Sequence, residues 1–356
     1  MPPLSQEDAL RGSRWSKSVT RERRGSPGAA RAADYDPPVP RHFLTGEELG
    51  PGELDALLAR AEELKRTRAS LFDARPDARG RGPLAGRSIA LIFDKPSTRT
   101  RISFEVAVHE LGGHAVVLRE GETQLARGES ERDTALVLSR LVQAVGIRAG
   151  PHAVVEELAA SSSVPVVNML TAEHHPCQAL ADLMTLRERF GTVRGLRVAY
   201  VGDGNNVATS LMLVGARAGA EVRVATPPEL APPAAIVEAA QAAAGPGSGF
   251  VTTDAAEAAS GAHAVYTDVW VSMGDESEAT RRRELLALYR LDAALLAHAH
   301  DEAIVLHCLP AHPGEEIDEE LLYGERSGVW DQAENRLHTQ KALLEALLLE
   351  AGADEG

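Results

Sequence analysis

Cysteine is almost absent from this chain. Cys177 and Cys308 are the only two in 356 residues, too few for a disulfide framework, which points to a reducing cytoplasm. Long apolar runs are missing as well. None approaches the ~18–20 residues of a membrane span, and the N-terminus lacks the apolar core of a secretory signal. Positive charge is in deficit: 37 Lys and Arg stand against 52 Asp and Glu, a net −15. That excludes a broad nucleic-acid surface. Any anion must be held by a local arginine cluster working against the overall field. No G-x-x-x-x-G-K-[ST] loop and no repeat at a solenoid period occurs. The histidines and cysteines show no ligand spacing, so no metal site is expected.

What remains is an ordinary globular composition, 44% apolar and 25% charged, long enough for about two domains. Residues 1–40 mix Arg, Ser, Pro, Gly and Ala without periodicity and read as a disordered or loosely attached extension. Order should begin near RHFLTGEEL, where Thr45 can cap a helix carrying Leu49, Leu54, Leu57 and Leu58. From there short apolar runs alternate with amphipathic segments. One series ends at Phe93, near Leu118, at Arg148 and near Leu170. A second comprises LRVAYV (196–201), AEVRVA (220–225), HAVYTD (263–268) and AIVLHC (303–308). Such alternation predicts two doubly wound α/β domains with parallel sheets flanking a cleft. The helical segment 178–191 would join them. A helix over 336–352 with Leu343, Leu344, Leu347 and Leu348 on one face would close the fold.

The unusual polar residues fall where each strand-like run stops, and ligands gather at strand carboxyl ends in open α/β sheets. After SIALIF (88–93) comes KPSTRTR, followed by Phe104, Ala107, Val108 and Leu111 on one helical face. A strand–turn–helix with hydroxyls at the turn offers free backbone N–H groups and a positive dipole end. Guanidinium forks placed there match phosphate oxygens. The bland alternative is a solvated helix start whose arginines pair with Glu105 and Glu110. Two arginines and three hydroxyls in five residues exceed what a cap needs.

GDGNN (202–206) resembles part of a dinucleotide fingerprint, but Val207 stands where the third glycine belongs. Asn205 and Asn206 suit a zwitterion better than a pyrophosphate, which leaves a dehydrogenase as the weaker rival. Asp268, at the end of HAVYTD, can hold an ammonium group, or simply cap a loop. Cys308 lies between His307 and Pro310, and a lone cysteine is more often core than reactive.

Taken together, PSTRTR (96–101), the Gln124 loop, HPCQ (175–178), GDGNN, DVWVSMG (268–274), HCLP (307–310) and AENRLHTQK (333–341) resemble the aspartate/ornithine carbamoyltransferase family from about residue 41 to 350. The S-M-G and H-C-L-P elements mark ornithine over aspartate as acceptor. The resemblance implies a carbamoyl-phosphate-binding domain over 41–185, completed by helix 336–352, and an ornithine-binding domain over 186–335. It implies that Ser97, Thr98, Arg99 and Thr100 bind the phosphate, with Arg336 adding a contact. Arg148, His175 and Gln178 would hold the carbamoyl end, with Thr100 also on its oxygen. Gln124 would reach a neighbouring subunit's site in a homotrimer. Asn206, Asp268, Ser272 and Met273 would bind ornithine, and Cys308 and Leu309 would line the reaction centre. Arg148, His175, Cys308 and Asp268 carry the implied catalysis, with no cofactor. The expected reaction converts carbamoyl phosphate and L-ornithine into L-citrulline and phosphate in arginine biosynthesis. Putrescine or an N-acylated ornithine is the alternative acceptor. Gln332 departs from the acidic residue usual in the family before AENRLH, and Pro313 from a common arginine.

Overall fold

The computed structural model describes residues 40–73, 82–119, 121–244, 249–271 and 278–349. The extension 1–40, apart from Pro40, lies outside them, as do Ser272, Met273 and the end of the expected closing helix, 350–352.

The first half runs α1 (Pro51–Arg66), α2 (Arg68–Asp73), β1 (Ser88–Phe93), α3 (Thr98–Glu110), β2 (His114–Arg119) and α4 (Glu131–Leu138). It continues through β3 (Ala144–Arg148), α5 (His152–Ser161), β4 (Val166–Leu170) and α6 (Pro176–Phe190). The second half has β5 (Arg197–Val201), α7 (Asn206–Arg217), β6 (Glu221–Ala225), α8 (Ala234–Ala244), β7 (Phe250–Thr252) and α9 (Ala255–Ala259). There follow β8 (Ala264–Thr267), α10 (Ala279–Leu286), α11 (Ala293–Leu296), β9 (Ile304–His307), α12 (Glu319–Tyr323) and α13 (Val329–Leu349).

Two parallel sheets result, in the orders β2-β1-β3-β4 and β7-β6-β5-β8-β9. Their central strands are buried on both faces, which is why they appear in the sequence as continuous apolar runs. Register aligns the strand ends. Phe93 pairs with both Arg119 and Arg148, and Thr267 pairs with His307. A register shift between Ile147 and Arg148 interrupts the β3–β4 pairing and re-aims Arg148 at the rim. The expected face of α3, Phe104, Ala107, Val108 and Leu111, is fully inside.

Three readings need correction. Thr45 does not cap α1, because Pro51 is pre-set for the first helical position and Gly50 N–H is taken by the Glu53 carboxylate at 2.8 Å. Thr45 lies instead in a turn whose N–H groups, from Leu44, Thr45 and Gly46, converge on Glu48. The closing helix starts at Val329, well before residue 336. The short edge strand β7 was not anticipated, and its three residues are only half-buried.

α6 leads from the first sheet to the second, and α13 returns from the second to pack on α1, α3 and α6. Leu343, Leu344, Leu347 and Leu348 are buried in that packing.

Candidate active site

The phosphate-type corner forms where β1 gives way to α3. Ser97 is the N-cap of α3, with extended backbone, yet its hydroxyl makes no capping bond. The first-turn N–H groups and that hydroxyl are thus left to an external acceptor. Arg101 is spent on Glu105, four residues on, at 2.6 Å, so the bland reading holds for that residue alone. Thr100 is buried and accepts a hydrogen bond at 2.6 Å from the Arg336 guanidinium of α13.

Arg148 joins them. Burial, aided by the positive charges of Arg336 and Arg99, lowers its pKa to about 10. Burial and the same three arginines hold His175 well below the ordinary imidazole value, so its ring is neutral at pH 7. Three guanidiniums near one buried imidazole make a strongly positive pocket suited to an anion. Several buried polar atoms here have no protein partner among the described residues: Arg148 Nε, Arg336 Nε, His175 Nδ1 and Gln178 Oε1. Leaving such atoms unpaired is costly, and they suit a polar ligand.

The second sheet supplies the opposite wall. Asn205 caps α7, its Oδ1 accepting from Val207 and Ala208 N–H at 2.9 and 3.3 Å. Its amide donates at 2.8 Å to Asp268 Oδ2. The Cys308 thiol donates to Asp268 Oδ1 at 2.9 Å. Burial and the Asp268 charge push that thiol well above its usual pKa, so Cys308 stays protonated and is no nucleophile. Gly204 is explained by close backbone approach, because a Cβ there would lie 2.4 Å from Leu230 O.

Beside Cys308, Leu309 adopts φ 61°, a left-handed backbone that a leucine tolerates only when held. What holds it is its own N–H, which donates to His307 Nδ1 at 2.9 Å. That bond puts the His307 ring proton on Nε2, facing Glu316 Oε1 at 3.2 Å. The Asp268, His307 and Cys308 ligand atoms lie within 4.8 Å of one another. These atoms are already engaged, the thiol and Asn205 on the Asp268 carboxylate and the Leu309 N–H on His307 Nδ1.

Two family models match the chain. One is described as the carbamoyl-P binding domain of aspartate/ornithine carbamoyltransferase, over residues 41–188. The other is its Asp/Orn binding domain, over 194–347. The chain belongs to the aspartate/ornithine carbamoyltransferase family. It is 52% identical to an ornithine carbamoyltransferase of Parafrankia sp. over 318 residues, 89% of this chain and 98% of that protein. It is 53% identical over 315 residues to one of Acidothermus cellulolyticus, covering 88% of this chain and 98% of that one. The solved ornithine carbamoyltransferase of Pyrococcus furiosus superposes with a TM-score of 0.81 at 44% identity, covering 88% and 98% of the two chains.

Of the expected site residues, Arg99, Arg148, His175, Thr100 and Arg336 are brought together, Ser97 and Thr98 open the same helix, and Asp268 and Cys308 are joined by the thiol bond. The Asn206 amide donates to Thr171 O at 2.6 Å. Gln124 is not among them. It sits exposed before the short turn of helix Leu125–Arg127, with no side-chain bond to any site residue among the described ones. Sequence reasoning missed Asp182 and Tyr266 and noted Gln332 only as a departure from the family; Asn205, expected to suit a zwitterion, caps α7 and bonds Asp268.

Proposed function

We propose that this carbamoyltransferase moves the carbamoyl group of carbamoyl phosphate to the side-chain amine of L-ornithine, releasing L-citrulline and phosphate. The observation that carries this reading is the meeting of Arg99, Arg148 and Arg336, drawn from three distant segments, around Thr100 and His175. In this reading Ser97, Thr98, Arg99 and Thr100 bind the phosphate together with Arg336. Arg148, His175 and Thr100 take the carbamoyl oxygen, and Gln178 the carbamoyl nitrogen. Negative charge grows on that oxygen and on the departing phosphate as the amine attacks, so fixed positive groups stabilise the transition state more than the ground state. A neutral His175 donates its single ring N–H to the carbamoyl oxygen without being a cationic acid. Asn206 and Asp268, with Ser272 and Met273, bind the α-amino and α-carboxyl groups of ornithine. Cys308 and Leu309 border the attacking amine, and no covalent enzyme intermediate is required.

The amine must shed a proton whose ordinary pKa is ~10.4. The rate at limiting ornithine should therefore climb with pH, and a flat profile between about pH 6 and 9 would contradict the mechanism. Citrulline formation assayed beside putrescine and N-acetylornithine tests the acceptor. Turnover of ornithine alone is expected, and preference for either competitor overturns the assignment.

We further read the chain as a cytoplasmic homotrimer of arginine biosynthesis. Both cysteines are free thiols, and no described helix is long and apolar enough to cross a membrane. A cavity of about 440 Å³, lined by Phe93, Lys95, Pro96, Ser97, Thr98, Arg101, Ile102 and Arg119, opens beside the phosphate corner. It supports entry of a neighbour's Gln124 loop there. Exposed Ile102, Leu136, Val137 and Leu141 are the kind of apolar surface a subunit contact would cover. Sedimentation at about 114 kDa, three chains of 37.9 kDa, is the expected result, and a monomer at working concentration would refute it.

A further inference from the structure

Behind the carbamoyl pocket lies a buried polar chain that the reaction scheme leaves unused. Asp182 sits one turn after Gln178 on α6, wholly inside the protein. Its Oδ1 accepts from Gln178 Nε2 at 2.9 Å, from Gln332 Nε2 of α13 at 2.6 Å and from the Tyr266 hydroxyl of β8 at 3.4 Å. Gln332 Oε1 in turn accepts the backbone N–H of His307, at the end of β9, at 2.9 Å. One carboxylate oxygen thus ties α6 and α13 to two strands of the second sheet.

The direction of every bond in this chain is determined. A backbone N–H can only donate, so Gln332 must turn its oxygen to His307 and its NH2 to Asp182. Asp182 then receives, and it receives from Gln178 as well, which fixes the NH2 of that second amide toward the carboxylate. Gln178 Oε1 is left buried without a protein partner, beside a site where Arg148 and Arg336 supply only donors. An amide free to rotate could offer either end; this one offers an acceptor.

We propose that Asp182, set by Gln332 and the His307 backbone amide, is a positioning residue that locks the Gln178 amide with its oxygen toward the ligand, so that the pocket selects an NH2 on the phosphate's acyl group over a methyl. This rests on the reading that Gln178 faces the carbamoyl nitrogen. A pocket built to accept a hydrogen bond rejects an analogue lacking the donor far more strongly than an apolar pocket rejects a size change. Burial pushes Asp182 up to about 7, against the bonds from Gln178, Gln332 and Tyr266 and the Arg336 charge. Its unpartnered Oδ2 can carry the proton while Oδ1 goes on accepting.

The test compares dissociation constants of carbamoyl phosphate, acetyl phosphate and inorganic phosphate by calorimetry. Acetyl phosphate carries CH3 where carbamoyl phosphate carries NH2. Asp182→Leu is expected to shrink the carbamoyl-over-acetyl preference at least about tenfold, with phosphate affinity unchanged. Asp182→Asn, which keeps an oxygen acceptor, should hold the preference within about threefold of wild type. Gln178→Leu, as reference, should abolish it. Should Asp182→Leu not fold, Gln332→Met, which removes one of the three donors, should lower the same preference by about threefold or more. The inference is overturned if Gln178→Leu abolishes the preference while Asp182→Leu, or Gln332→Met in its place, leaves it intact. An unchanged preference in Gln178→Leu removes Gln178 from the nitrogen and the inference with it.

Discussion

Arg99 and Arg101 stand two positions apart in one helical turn and do different work. Arg101 is neutralised by Glu105, while the charge of Arg99 reaches Arg148, His175 and Arg336. Arg99→Ala should therefore cost about 2–5 kcal/mol of carbamoyl phosphate binding, roughly 30- to 4000-fold. Calorimetry showing an unchanged constant would take Arg99 out of the site. Asp268→Asn should act on the other substrate. Loss of a charged partner for the ornithine ammonium is worth about 1.5–3 kcal/mol, roughly 10- to 150-fold in affinity. Carbamoyl phosphate binding should stay near wild type, and equal loss of both ligands would contradict this division. Such residues were legible because hydroxyls and arginines at the end of an apolar run have no structural reason to be there. Asp182 was not, since in ALADLM a single Asp looks like the solvated face of an amphipathic helix. It is buried because α6 is enclosed by α13, α7, α1 and β4, so its polar positions turn inward.

At the scale of elements, α13 is held by charge as well as by leucines. Lys341 and Glu110 of α3 pair at 2.8 Å with side-chain exposures of only 1% and 6%, and Arg68 reaches the same carboxylate at 2.9 Å. Removing Lys341 leaves the buried Glu110 with Arg68 alone. Lys341→Ala should thus destabilise by roughly 1.5–3 kcal/mol, whereas the joint change Lys341→Met and Glu110→Leu should recover part of that loss. Urea denaturation measures both, and a double variant as weak as the single one would refute the account. The strands of both sheets were readable because central parallel strands are apolar on both faces. β7 escaped because an edge strand of three half-buried residues has no such signature. The start of α13 escaped because its first turns, Val329 to Asn335, carry polar residues that bond inward, as Gln332 and Asn335 do.

For the molecule as a whole, two buried titrating groups oppose one another in pH. His175 has its pKa lowered, so below the ordinary 6.5 the unfolded chain binds the extra proton and stability is lost on acidification. Asp182 has its pKa raised to about 7. The folded state then binds more protons between about 3.8 and 7, and its contribution is lost as pH rises through that window. Asp182→Asn removes the second effect only. Relative to wild type it should gain stability between pH 5 and pH 8, by roughly 2–3 kcal/mol, about 1.36 kcal/mol for each of the two pH units from 5 to about 7. Melting curves at the two pH values would show the gain, and an equal difference at both would exclude a titrating Asp182.

The Arg336–Thr100 bond spans 236 positions of sequence. Closing so long a loop comes late in folding, since its entropy must be met before the contact repays it. A chain that has not made that contact lacks part of the receptor. Carbamoyl phosphate adds its binding free energy solely to the completed topology, so the substrate itself acts as a proofreader of the finished chain.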